Sequence, residues 1–496
     1  MQAPAVVTSP LPRNIWWALA LIVFTAGCAG DGSEAESSTP GAELTERAGG
    51  LPACSDVEHP EPGRCFFDTS GFLTSKQPYA PRQTADRYEA VPEGFQVVSL
   101  QHVARHGSRG LSSPDDDDLM AQLWAAARDD GALTPLGEHL GPVLDAMLRV
   151  HAEIGYGSIS RLGEVEHEDM ARRLIRRHRA FFETLAARGD RIDVYYSGRT
   201  RAAESAVAFV QGMIEEMPEL AGRVEPAQAS IETLYFNEAE GQEAYREYSD
   251  QDPRRLAAVA AIEQDPRTRA MARLMLHQLF TSDFVQQLAD GARVFTAAAD
   301  PDDRIEDELD AAEALFGLYS IAAGLTEEAD FGMGRFLHPE AAAWFAYVDD
   351  AGSFYDRGPG FADEDVSFAG AGVLAADLLE RVDQVVQGGR AHPVTLRFSH
   401  SQALVPLAAW LGIEGAHEAV APDELFTYET NPWRAELVAP MGANILWEVV
   451  QDREGTTLLR MLHNEAQVAF SESCRPWRTG STFYTLEEIR RCYGLR

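Results

Sequence analysis

The chain of 496 residues contains a single lysine, Lys76, so almost all of its positive charge is carried by arginine. Its 42 basic residues are outnumbered by 78 acidic ones, which gives a formal net charge of −36. This acidity argues against a general affinity for nucleic acid or for an anionic membrane surface. An anionic ligand therefore needs a local cluster of cations, and the placement of arginines is more informative than their number.

The N-terminal region contains no apolar run long enough to span a bilayer. The run from Ile15 to Gly27 follows Arg13 and falls short of the roughly 20 residues that a membrane-spanning helix needs. Small residues before Cys28 predict a signal peptide of the lipoprotein type over residues 1–28, with Cys28 lipidated at the cell envelope. Because Thr25 stands where leucine is usual, plain secretion to the periplasm or the medium is the alternative. Residues 29–50 are small, polar and acidic, which predicts a disordered linker.

Cysteine is scarce, with five residues in the whole chain. Apart from Cys28 they form an even set near the two ends of the folded part, as is typical of disulfides in an oxidising compartment. Three connectivities are possible, and we favour the local pairs Cys54–Cys65 and Cys474–Cys492. A zinc site is the alternative, but the spacings are not those of a ligand set, and we predict no bound metal and no cofactor.

The remainder of the chain alternates between strand and helix patterns, and its length suits one large domain with an insertion, or two domains. Between residues 216 and 364 long helical periodicity replaces this alternation, with a helix start at Pro339. We predict an α/β fold: a mostly parallel central sheet with helices on both faces over residues 51–215 and 365–496, and an inserted α-helical cap over residues 216–364. The predicted strands are 95–100, 192–196, 394–398, 445–450 and 458–462.

Two helical features are also predicted. A continuous helix is expected over residues 171–187, where apolar side chains recur on one stripe. The run of four aspartates at Asp115 to Asp118 is interpreted as a solvated helix start rather than a metal site.

Short polar clusters follow three of the predicted strands: "ARHGSRG" after the first, "SGRTRAAES" after the second and "FSHSQALVPL" at the end of the third. In an open parallel sheet, ligands bind beyond the carboxyl ends of the strands, so these arginines and histidines are predicted to converge. Guanidinium groups bind phosphate oxygens bidentately, and a neutral imidazole can attack phosphorus. The combination therefore indicates phosphoryl transfer.

The motifs "RHGSR", "SGRTRAAESAVAFVQGM" and "SHSQALVPL", in this order, resemble those of the histidine acid phosphatases, and most closely the multiple inositol polyphosphate phosphatase branch. The stretches "FLTSKQPYAP", "GALTPLGEHL", "ISRLGEVEHEDMARRL" and "FLHPEAAAWFAYVDDAGSFYDRGPGF" are similar to the same branch. The resemblance extends from about residue 50 to the C-terminus. It implies a phosphatase core with a helical cap.

The resemblance also implies roles for individual residues. His106 corresponds to the nucleophile that becomes phosphohistidine, and His400 to a second histidine of the pocket. The residues implied to bind the phosphate group are Arg105, Arg109, Ser112, Arg201 and His400.

This chain departs from the family pattern at two places. Gly110 and Leu111 replace the usual Tyr-Pro after the first motif, which alters the rim of the pocket. Gln402 stands where the branch usually has a glutamate that donates a proton to the leaving group, and an amide cannot be a general acid.

The implied function is hydrolysis of inositol polyphosphates such as phytate, with a small phosphorylated molecule as the only ligand. Bisphosphoglycerate is an alternative substrate. Two further alternatives remain: a catalytically weakened protein that only binds phosphate or polyanions, and a phosphotransferase of the mutase type.

Overall fold

A computed structural model describes residues 51–388 and 392–495. The predicted signal peptide with Cys28 and the predicted linker lie outside the described residues. Within those ranges, none of the helices combines the length and the apolar character needed to cross a bilayer.

The strands are β1 (Gln96–Arg105), β2 (Ile192–Tyr196), β3 (Gln228–Ala229), β4 (Phe295–Thr296), β5 (Arg304–Ile305), β6 (Val394–Ser399), β7 (Asn444–Gln451), β8 (Thr457–His463), β9 (Ala466–Val468) and β10 (Phe483–Thr485). The α-helices are α1 (Asp115–Asp129), α2 (Pro135–Ile154), α3 (Arg161–Arg177), α4 (Arg179–Arg188), α5 (Thr200–Glu216), α6 (Ile231–Leu234), α7 (Glu243–Gln251), α8 (Pro253–Glu263), α9 (Pro266–Leu276), α10 (Ser282–Ala289), α11 (Glu308–Ala322), α12 (Pro339–Arg357), α13 (Gly372–Val386), α14 (Ser401–Trp410), α15 (Ala435–Val438) and α16 (Leu486–Tyr493).

The central sheet has the strand order β10-β8-β7-β1-β6-β2-β3, and β9 pairs with β8. Strands β1, β6, β2 and β3 are parallel to one another, whereas β7 is antiparallel to β1 and β8 is antiparallel to β7. Strand β8 therefore runs in the same direction as β1. The predicted α/β fold with a mostly parallel sheet is confirmed.

Helices cover both faces of this sheet. Leu100 and Ala104 of β1 pack with the apolar side chains of α3, α4 and α5 on one face. Val103 of β1 lies on the other face, in a cluster with α13 and α14. Successive side chains of a strand point to opposite faces, so a strand covered on both sides is apolar on both.

Strand β1 is longer than predicted, because it continues past Leu100 to Arg105. The polar residues Gln101 and His102 interrupt the apolar run but are almost fully buried. Gln101 donates a hydrogen bond to the Ser99 hydroxyl at 3.0 Å and accepts one from Arg397 at 3.1 Å. Because this internal pairing removes the penalty for burying an amide, the strand carries the first motif directly to the edge of the sheet.

Two of the predicted helical features differ from the structure. The helix expected over residues 171–187 is two helices, α3 and α4, because His178 between them has non-helical backbone angles (φ −115°, ψ 30°). The aspartate run does begin α1, but Asp115 and Asp117 are buried rather than solvated. Asp117 accepts hydrogen bonds from His151 at 2.7 Å and from the Tyr156 hydroxyl at 2.8 Å.

The inserted helices α9 to α12 form a hydrophobic cluster that also includes apolar side chains of α1 and α2. Strand β3, which falls inside the range predicted as the cap, pairs with β2 of the central sheet. The division at residues 215/216 and 364/365 stays a prediction.

Both predicted disulfides are present. Cys54 is bonded to Cys65 with their Cα atoms 5.0 Å apart, and Cys474 is bonded to Cys492 with a Cα separation of 5.2 Å. The favoured connectivity of local pairs is confirmed.

Candidate active site

His106 is the first residue after β1, at the carboxyl end of the strand. Its backbone N–H donates to the carbonyl of Ser399 at the end of β6, and its carbonyl accepts from Gly442 before β7, both at 2.9 Å. These two bonds fix His106 between the strands that flank β1 in the sheet. The imidazole therefore lies at the sheet edge where the sequence placed the three polar clusters.

The hydrogen bond of the His106 ring defines its free nitrogen. Nδ1 lies 3.0 Å from the carbonyl oxygen of Gly107, which can only accept a hydrogen bond. The proton of the neutral ring is therefore on Nδ1, and Nε2 keeps its lone pair. A neutral imidazole with a free Nε2 is the form that can attack an electrophile.

Burial and nearby positive charge keep both histidines of the site neutral. Burial, followed by Arg105 and His400, holds the pKa of His106 well below its usual value. Burial and then Arg201 lower the pKa of His400 to about 2. The two rings are 5.3 Å apart between centroids. An anion bound between them would oppose these effects and favour protonation.

Three guanidinium groups surround the histidines. Burial and then Arg109 and Arg201 lower the pKa of Arg105 to about 9, while burial and Arg201 lower that of Arg109 to about 10. Arg105 is held by the backbone, since its Nη1 donates to the carbonyls of Ser75 and Ala439, the latter at 2.6 Å. Arg201 lies in the first turn of α5 and is partly buried. Mutual repulsion of these cations indicates a site for an anion.

His400 is completely buried at the start of α14. Its Nε2 lies 2.7 Å from the hydroxyl of Ser197, a residue of the second motif that was not among the predicted site residues. The Tyr235 ring lies 5.0 Å from the His400 ring and carries the guanidinium of Arg199 at 5.1 Å from its centroid. Both contacts link His400 to elements distant in sequence.

The loop after His106 is held by a buried carboxylate, Glu166 of α3. It accepts the Ser108 backbone N–H at 2.7 Å, the Ser108 hydroxyl at 2.8 Å and the Tyr79 backbone N–H at 2.7 Å. Glycine is required at position 107 by the protein itself, because a Cβ there would lie 2.5 Å from the carbonyl oxygen of Gly163. Glu166 was not predicted as a site residue, although it lies in one of the family-like stretches.

A cavity of about 500 Å³ opens beside the loop, between the loop with the start of α1 and the inserted helices α11 and α12. Arg109 and Ser112 line it, together with Lys76. Ser112 is exposed at its rim.

Gln402 faces a different space, a void of about 10 Å³ that it shares with Arg357, and its Oε1 accepts a hydrogen bond from Ser401 at 3.2 Å. The structure thus brings together the predicted arginines and histidines. Gln402 is the second residue of α14 and lines the neighbouring void instead.

The family model described as the histidine phosphatase superfamily (branch 2) matches residues 96–464. A search of curated proteins finds no match.

Among solved structures, the multiple inositol polyphosphate phosphatase of Bifidobacterium longum in complex with inositol hexasulfate is similar, with 29% identity and a TM-score of 0.80 over 86% of this chain and 97% of that chain. The same phosphatase with phosphate has 28% identity and a TM-score of 0.81 over the same shares of the two chains, 86% and 97%. The phytase of D. castellii, at 14% identity, has a TM-score of 0.56 over 89% of this chain and 88% of its own and shares the fold.

Proposed function

Because the chain belongs to branch 2 of the histidine phosphatase superfamily, we propose that it is a phosphomonoesterase that hydrolyses inositol polyphosphates through a phosphohistidine at His106. One observation carries the proposal. A neutral imidazole with its Nε2 free stands among three guanidinium groups at the edge of a parallel sheet. The similar phosphatase of Bifidobacterium longum has structures with phosphate and with inositol hexasulfate, which favours the same class of substrate here.

In the first step, Nε2 of His106 attacks phosphorus, and the bond from phosphorus to the ester oxygen breaks. Arg105, Arg109 and Arg201 bind the equatorial oxygens and stabilise their charge in the transition state. His400 is neutral in the free site. The bound anion favours the tautomer or protonation state in which Nδ1 or Nε2 of His400 carries a proton, and that N–H donates to a phosphoryl oxygen. Water then attacks the phosphohistidine, and inorganic phosphate leaves.

The departing oxygen needs a proton, and Gln402 cannot supply it. Water, or a protonated phosphate of the substrate, replaces the missing acid in this proposal. The alternative is a protein that binds phosphate but turns over little, and the amide at position 402 is the observation that favours it.

A phosphate-release assay with purified protein tests the proposal. We expect inositol hexakisphosphate and lower inositol phosphates to be hydrolysed faster than bisphosphoglycerate and simple monoesters. Binding without release of phosphate from any of these substrates would support the binding protein instead. Transfer of phosphate without its release would support a mutase.

Export of the chain is also a proposal, supported by the two disulfides, which are typical of oxidising compartments. Attachment to a membrane through lipidated Cys28 is the finer form of this proposal. Labelling of the expressed protein with a radioactive fatty acid, lost in Cys28→Ala, tests it.

A further inference from the structure

The cavity beside the catalytic loop carries charges of both signs. Its basic side chains are Lys76, Arg109 and Arg357, and its acidic side chains are Asp116, Glu263, Glu313 and Asp349. Lys76 and Arg109 lie in segments outside the helices α11 and α12, which carry Glu313 and Asp349 respectively. Basic and acidic side chains are therefore mixed around the cavity, since Arg357 ends α12, the helix that also carries Asp349.

Most of these charges are not neutralised by one another. Within residues 51–388 and 392–495, the carboxylates of Asp116, Glu263, Glu313 and Asp349 have no ion pair within 4.0 Å. Lys76, the single lysine, makes one long hydrogen bond, 3.5 Å to the Ser75 hydroxyl. Arg357 contacts Asp356 outside this set, at 3.1 Å. The basic and acidic side chains of the cavity therefore remain available to a ligand.

We propose that this cavity selects partially phosphorylated inositols, with phosphate groups against Lys76, Arg109 and Arg357 and free hydroxyl groups against the four carboxylates. This inference rests on the proposed function and narrows its substrate class. A hydroxyl donates a hydrogen bond to a carboxylate, whereas a phosphate in the same place repels it. Inositol hexakisphosphate has no free hydroxyl, so at least one of its phosphates must lie beside these carboxylates.

The selection depends on pH, because two of the cavity carboxyls lose their protons at a higher pH than an ordinary carboxyl does. Partial desolvation, followed by repulsion from neighbouring carboxylates, raises the pKa of the half-buried Asp116 to about 6 and that of Glu313, which stays exposed at the cavity mouth, to about 7. Below these pH values the two carboxyls are less charged and tolerate a phosphate nearby. The charged groups that face the two carboxyls are Asp115, Asp117, Asp303 and Lys76 around Asp116, and Glu263, Asp307, Asp310 and Asp349 around Glu313.

Equilibrium binding in a His106→Ala background tests the inference without hydrolysis. Titration calorimetry measures the Kd of inositol hexakisphosphate and of an inositol trisphosphate at pH 5 and pH 7.5. We expect the affinity for the hexakisphosphate, relative to the trisphosphate, to fall roughly tenfold between these pH values. Adding Asp116→Asn and Glu313→Gln should remove most of this fall, since neither new side chain ionises.

A matched control corrects for the change in net charge and for the ionisation of the substrates. Glu183→Gln with Glu327→Gln removes the same number of charges from exposed positions outside the cavity and should keep the profile of the His106→Ala parent. The inference is overturned if the cavity and control variants behave alike, if the parent shows no dependence on pH, or if neither ligand binds. Failure of the proposed function is distinguishable, because it appears as absence of phosphate release by the unmodified protein.

Discussion

Ser108 donates two hydrogen bonds to Glu166, from its backbone N–H to Oε2 at 2.7 Å and from its hydroxyl to Oε1 at 2.8 Å. These bonds hold the loop that carries His106 and Arg109 against α3. Glu166 does not touch the reacting groups, so we interpret it as a positioning residue. Its buried carboxylate receives donors from two separate segments of chain, since Tyr79 also donates to it.

Replacing Glu166 with glutamine should destabilise the protein and misplace the loop. The amide N–H₂ would face a donor, and loss of one buried hydrogen bond partner costs about 1 to 3 kcal/mol. We expect urea denaturation to show a loss of unfolding free energy in that range, and kcat to fall with it. Glu164→Gln, on the exposed side of the same helix, is the control. A Glu166→Gln protein with the stability and kcat of the control would contradict the positioning role.

The three convergent clusters were predictable because each follows a strand, and the carboxyl ends of parallel strands meet at one edge. The exact length of the strand that carries the first cluster was less predictable. Strand β1 runs five residues further than its apolar segment, because Gln101 is satisfied by Arg397, a partner 296 residues away. A pattern of neighbouring residues in the sequence cannot indicate a hydrogen bond to so distant a partner.

Glu166 and Ser197, which contact residues of the site, were not predicted because their partners are also distant in the sequence. Glu166 and Ser108 are 58 residues apart, and Ser197 and His400 are 203 apart. Lys76 could have been recognised as a candidate site residue, because it is the single lysine of the chain and lies inside a family-like stretch. Its place in the cavity wall depends on the packing of α11 and α12, which periodicity alone does not define.

Buried histidines should make the protein less stable in mild acid. Burial lowers the pKa of His167 to about 3, whereas an unfolded histidine titrates near ~6.5. Below ~6.5 the unfolded chain binds a proton that the folded protein does not, so stability falls as the pH falls, by up to ~1.4 kcal/mol per pH unit for each such group.

We therefore expect His167→Phe, which suits a site between Phe209 and Phe398, to lose about 2 kcal/mol less unfolding free energy than the unmodified protein between pH 8 and pH 5. Chemical denaturation at the two pH values measures this difference. His59→Gln, at an exposed position, should keep the slope of the parent. Equal slopes for His167→Phe and the parent would contradict the prediction.

Arg201→Ala should weaken catalysis by roughly 2 to 4 kcal/mol of transition-state stabilisation, as for loss of a preorganised oxyanion donor. Steady-state kcat/KM measures the effect. Arg176→Ala, which removes an exposed guanidinium paired with Glu216, provides the matched control. A change confined to thermal stability would place Arg201 in a structural role.

Gln402→Glu should restore a proton donor. Positioned general acids contribute ~10²- to 10⁴-fold, and the benefit is larger for a basic alkoxide than for a phenolate. We expect turnover of alkyl phosphates, including inositol hexakisphosphate, to rise more than that of aryl phosphates, with a new dependence on pH. Gln387→Glu, exposed near the end of α13, should change neither. Equal losses on both substrate types would show that position 402 is not the vacant donor site.

The central claim is that phosphate is transferred to Nε2 of His106, and rapid quench in alkali after mixing with radiolabelled substrate tests it most directly. Phosphohistidine is stable in alkali, so label should remain on the protein within the first turnover and map to the peptide that contains His106. His106→Ala should fold with the stability of the parent, retain no label and release no phosphate. Turnover by His106→Ala, or label on another residue of the unmodified protein, would contradict the account.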